Sequence, residues 1–189
     1  MTFVRGALSL LLFVPTLTAE TRLEVSACLQ LKTSLDYVVL RQGENVTQQI
    51  FNGIGIRLRW SCNPPPARAQ RETRTIMMQL VGHAPDRFRK GSLAYALPYA
   101  HQGVQVTVFY DRFEPFLVNG PISASKIFGH ILAHEIGHVL AGVSAHAEVG
   151  LMRANWTGDD VSIMNSQLLT FTDQDARFIR DNLRRDCGR

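Results

Sequence analysis

The segment 124–141 restricts most strongly what this chain can fold into. Its apolar residues Phe128, Ile131, Leu132, Ile136, Val139 and Leu140 recur at helical spacing, which predicts a long amphipathic helix that must bury one face. Pro121 and Ser123 or Ser125 supply helix-start signals, and Gly142 is placed to end the helix in a left-handed cap. Within the helix stands His134-Glu135-Ile136-Gly137-His138. Residues four apart share a helix face, so both imidazoles can reach one ion while Glu135 projects beside them. Neutral imidazole suits zinc, and two ligands on one rigid helix set most of the geometry of such a site. His130 lies one turn earlier on nearly the same stripe. Three histidines at i, i+4 and i+8 spread over too much helix for one tetrahedral ion. His130 is therefore expected as a supporting or surface residue, with the third ligand supplied from elsewhere.

The chain continues as Val139-Leu140-Ala141-Gly142-Val143-Ser144-Ala145-His146, then Ala147-Glu148-Val149-Gly150-Leu151-Met152. At these residues it resembles the metzincin clan of zinc metallopeptidases. Their motif is HExxHxxGxxH, followed by a turn that places a methionine beneath the metal. Gly142, His146 and Met152 look like those three features. The spacing is longer than the clan's: Gly142 stands four residues after His138 rather than three, and His146 eight rather than six. A lengthened exit loop still lets His146 reach the ion, because a loop tolerates insertion better than a helix does.

The resemblance implies Zn2+ held by His134, His138 and His146, in a small secreted enzyme of bacterial type. A zinc-bound water would attack the peptide bond, with Glu135 as the catalytic general base. It further implies that a peptide or protein substrate lies as an added strand along an exposed sheet edge near 92–97. Acidic residues compete for the third metal position: Glu148 in the same loop, then Asp159 and Asp160. Asp173 and Asp175 suit a helix start better. Two other readings stand beside the peptidase: an exported HExxH zinc hydrolase with a carboxylate third ligand, and a non-catalytic zinc-binding module. An intact Glu135 argues against the second, since a structural zinc site needs no general base.

Elsewhere, strands are expected at Leu23–Leu31, Ile56–Trp60, 75–81, 92–97 and 104–110, and helices at 44–51 and 172–185. Thr172 is the predicted cap of the last helix. With the metzincin resemblance, the expected fold is α+β, zincin-like and a single domain over 20–189. It comprises a twisted mixed β-sheet of about five strands, an active-site helix and a C-terminal helix. Trp156 is expected to pack beneath the loop, and His83 and His101 to lie in loops without a metal role.

Composition narrows the class further. With 46% hydrophobic residues, 14 Gly and 8 Pro in 189, the chain is neither a disordered tail nor collagen-like. Its formal charge of +4 is mild, and the arginine-rich stretch 66–74 lacks the interleaved aromatics that stack bases, so no nucleic-acid partner is expected. The first 19 residues place Arg5 before an apolar run from Ala7 to Val14, then small residues at Thr18 and Ala19. That is the layout of a signal peptide, so a secreted or periplasmic protein is expected. The run is too short for a stable membrane span, which needs about 20 apolar residues. The mature protein is expected to be a monomer. In an oxidising compartment two of Cys28, Cys62 and Cys187 can pair, and the sequence does not choose which.

Overall fold

A computed structural model describes residues 23–64, 73–89, 91–100 and 102–187. The predicted signal segment, most of the arginine-rich stretch, His101 and the Cys187 side chain lie outside that description. Strand β1 (Leu23–Leu31) leads into helix α1 (Tyr37–Gly53), then β2 (Ile56–Trp60), β3 (Arg74–Val81), β4 (Ala94–Ala96) and β5 (Val104–Phe109). A short helix α2 (Tyr110–Phe113) and a 3-10 helix (Glu114–Asn119) precede the long α3 (Pro121–Ala141). Helices α4 (Gly158–Ser166) and α5 (Asp173–Cys187) follow.

The five strands form one sheet in the order β2-β1-β3-β5-β4. All neighbours run parallel except β4, which lies antiparallel on β5 at one edge. Parallel strands need crossover connections that cover the sheet's faces, and their sequences become nearly continuous apolar runs. β5 fits that rule, with every residue from Gln105 to Phe109 buried. A disulfide joins Cys28 on β1 to Cys62 just beyond β2, settling the pair that the sequence left open.

Helix α1 begins seven residues before the expected segment 44–51. Asp36 caps it, its Oδ1 accepting from the Val38 and Val39 amides at 2.7 and 3.2 Å. Tyr37 and Val38 remain exposed, so their apolar side chains spoil the periodicity that a sequence reading follows. The fourth strand contracts from 92–97 to Ala94–Ala96, and Tyr110 opens α2 rather than ending β5.

Helix α3 departs from expectation in two ways. It starts at Pro121 after Gly120, which has φ 87°, and no side chain caps it, so neither Ser123 nor Ser125 is the N-cap. It is also buried on all sides from Ile127 to Ala141, rather than along one stripe. Its packing against α1 admits no side chain at the crossing: a Cβ on Gly129 would lie 2.6 Å from the Gly43 carbonyl oxygen and 2.6 Å from Val46 Cβ. Thr47 Oγ1 seals this contact by donating within reach of both the Gly43 and Gly129 carbonyls, at 2.9 and 3.0 Å.

Candidate metal centre

Helix α3 places His134 and His138 one turn apart, and the chain then turns sharply away. Gly142 makes the turn at φ 66°, its amide donating to the His138 carbonyl, as the left-handed cap predicted. The loop after it returns His146 to the same point. His138 Nε2 lies 3.0 Å from His134 Nε2 and 3.3 Å from His146 Nε2. Among the described residues, these three are the one group of three or more His, Cys, Asp or Glu able to hold a metal ion.

The tautomers explain why these nitrogens can converge. His134 Nδ1 donates to the Leu151 carbonyl at 2.8 Å, and His138 Nδ1 to the Val143 carbonyl at 3.0 Å. With the proton on Nδ1, each Nε2 presents a bare lone pair. Two lone pairs 3.0 Å apart repel, so the arrangement is that of a ligand set facing a cation. A tetrahedral zinc ion with Zn–N near 2.05 Å puts neighbouring nitrogens about 3.3 Å apart, which the observed spacing matches. Burial acts in the same direction. It pushes His134 down to about 3 and His138 to about 4, with their neighbouring histidines adding to it, so both rings stay unprotonated in mild acid.

Glu135 is buried beside the triad, and desolvation pushes its carboxyl up to about 8. The three histidines and Glu135 line a cleft of about 650 Å³ whose other walls include Ala94, Tyr95, Phe116, Arg153 and Trp156. Met152 lies under the helix between the two histidines. A Cβ on Gly137 would meet its Sδ at 2.9 Å and the Phe171 ring at 2.8 Å, so the glycine inside the HEIGH segment makes room for the methionine.

His130 has a different role. It is fully buried, not on the surface; its Nδ1 donates to the Lys126 carbonyl and its Nε2 accepts the Leu169 amide at 3.0 Å. Nδ1 thereby anchors the ring to its own helix, and Nε2 ties α3 to the strap between α4 and α5. The acidic candidates for the third position are placed elsewhere. Asp160 Oδ2 accepts from the Thr157 amide and hydroxyl and from Arg153 Nη1, at 2.8, 3.0 and 2.7 Å. The Thr157 amide, together with Arg153, holds that carboxyl below its usual range. Asp175 is engaged in the same manner by Thr172, the predicted cap of α5. Glu148 and Asp159 are exposed.

Several contributors were not legible in the sequence. The Leu151 and Val143 carbonyls orient the histidines, and backbone groups leave no residue-type signature. Trp156 does more than pack: its Nε1 donates to the same Leu151 carbonyl at 3.1 Å, and its ring meets His134 edge-on at 5.6 Å.

Compared by sequence, no family model and no curated protein matches the chain. Compared by structure, the chain is similar to metalloproteinase-II from Bacteroides fragilis, with a TM-score of 0.50 and 13% identity over 86% of this chain and 54% of that one. It thus spans about half the length of that protein. Archaemetzincin from Methanopyrus kandleri gives 0.47 and 13% over 89% and 99% of the two chains; myroilysin gives 0.38 and 12% over 80% and 70%. The likeness to the Bacteroides protein bears on the fold alone, an α+β domain with a mixed five-stranded sheet beside the helix that bears the histidines.

Proposed function

We propose that this chain is an exported zinc metallopeptidase in which His134, His138 and His146 hold the ion and Glu135 is the general base. The observation that carries this reading is the convergence of three Nε2 atoms on one point, two of them oriented by carbonyls, at the wall of an open cleft. The ion, when bound, supplies a Lewis acid for the scissile carbonyl and acidifies a water. Glu135 accepts that water's proton on its carboxylate and delivers it to the leaving amine nitrogen.

The substrate lies along β4. The Phe109 amide donates to the Leu93 carbonyl, and the Leu97 amide to the Gln105 carbonyl. Alternation in an antiparallel ladder then turns the main-chain groups of Ala94 and Ala96 away from β5, where an extended peptide can pair with them at the cleft. Export through residues 1–19 is supported by the Cys28–Cys62 disulfide, a bond that persists in oxidising compartments. A carboxylate third ligand is disfavoured because Asp160 and Asp175 are committed to helix caps.

The Glu135→Gln variant tests the assignment. Hydrolysis of a mixed peptide substrate falls by at least about 100-fold, while zinc content by elemental analysis stays at the wild-type level. Full activity in this variant refutes the mechanism.

A further inference from the structure

His146 differs from its two fellow ligands. His134 and His138 each donate from Nδ1 to a carbonyl, whereas among the described residues no carbonyl receives the His146 ring, and the residue is exposed. A metal ligand without such a partner is normally poorly oriented. Its placement must come from the loop that carries it, and that loop is two residues longer than the metzincin pattern.

The loop is gripped immediately after His146. The Ala147 amide donates to the Met152 carbonyl at 2.9 Å, and Ala147 bridges to Arg153. The Arg153 side chain then reaches back. Its Nε donates to the Glu148 carbonyl at 2.9 Å, two residues beyond His146, while its Nη1 binds Asp160 Oδ2 at 2.7 Å. Asp160 is itself buried and fixed to the first turn of α4 by the Thr157 capping box. The planar guanidinium fork therefore joins the ligand loop to a rigid helix end, a connection that a single-point lysine cannot duplicate.

We propose that Arg153 is the positioning residue for the third ligand: bridging Glu148 and Asp160, it holds the lengthened loop so that His146 meets the other two histidines. This rests on the zinc metallopeptidase reading above. Arg153 acts through His146 and takes no part in the chemistry itself.

The test measures zinc affinity by competition with a chromophoric chelator on the purified full chain, independently of any peptidase assay. Arg153→Ala lowers affinity by about 10–100-fold, the usual cost of losing a group that orients a ligand, and Arg153→Lys recovers part of it. In a His146→Ala background the same Arg153→Ala change has no further effect, because the ligand it positions is gone. An equal loss in both backgrounds, or wild-type affinity in Arg153→Ala, overturns the proposal while leaving the metallopeptidase reading intact. A wild-type chain that binds no zinc overturns both. Should Arg153→Ala fail to fold, Arg153→Lys measured in both backgrounds decides the question by the same comparison.

Discussion

Gly129→Ala sets helix propensity against packing, so the sign of its effect tests the α1–α3 crossing on which the site helix rests. Propensity alone favours alanine over glycine in a helix interior by about 1 kcal/mol. The new Cβ would sit 2.6 Å from the Gly43 carbonyl oxygen, 2.6 Å from Val46 Cβ and 2.7 Å from Val46 Cγ1. None of these is the free end of a flexible chain. Restoring ordinary contact at 3.4 Å requires α1 to retreat by roughly 0.8 Å. Strain of this kind costs about 1–3 kcal/mol. The retreat also stretches the 3.0 Å bond from Thr47 Oγ1 to the Gly129 carbonyl, worth about 1 kcal/mol. The balance is a net loss of about 2 kcal/mol, which lowers the melting temperature of a chain this size by about 4–8 °C. Gly53→Ala is the control: nothing lies within 4 Å of that position, and stability should hold or rise slightly. Urea denaturation followed by far-UV circular dichroism measures both. A Gly129→Ala protein as stable as wild type, or more so, refutes the close crossing.

Reduction of the Cys28–Cys62 disulfide, which closes a 34-residue separation, should lower stability by about 4 kcal/mol on chain-entropy grounds; an unchanged denaturation midpoint in reductant contradicts the pairing. The metal-free protein should show a stability maximum near neutral pH. Below 6.5 the unfolded chain protonates histidines that folded His134 and His138 keep neutral down to about 3 and 4, so stability falls as pH falls. Between 4.5 and about 8 folded Glu135 retains a proton that the unfolded chain has released, so its contribution falls as pH rises. Two histidines outweigh one carboxyl on the acid side, and Glu135 alone acts above 6.5. Apo-protein denaturation between pH 4 and 8.5 reads this directly, and a flat profile would show that these three groups are not buried as described.

The site helix was legible because its signals are local. HEIGH places two rings on one face wherever the helix lies, and Gly142 ends the helix by its own backbone freedom. Most strand positions were legible for a similar reason, since β-branched runs such as Val104–Phe109 follow from burial on both faces. What escaped depended on neighbours distant in sequence or on backbone groups. Helix α4 went unseen because its capping box, Thr157 with Asp160, uses a residue that also looks like a metal ligand. His130 was ambiguous because only the fold brings the Leu169 amide to its Nε2.

The sequence by itself determined the chemistry on offer: two imidazoles and a carboxyl on one helix, with a histidine and a methionine close behind. Those facts depend on residue type and on the 3.6-residue turn. Tertiary structure alone decided which third residue joins the pair, which cysteines bond, and which carbonyls set the tautomers. Each of these requires a loop or strand to return through space to a particular atom, and no local propensity encodes that path. The lengthened loop shows the division clearly. Its extra residues are plain in the sequence, but only the tertiary structure shows His146 Nε2 within 3.3 Å of His138 Nε2, and Arg153 reaching both Glu148 and an aspartate fixed at the start of α4.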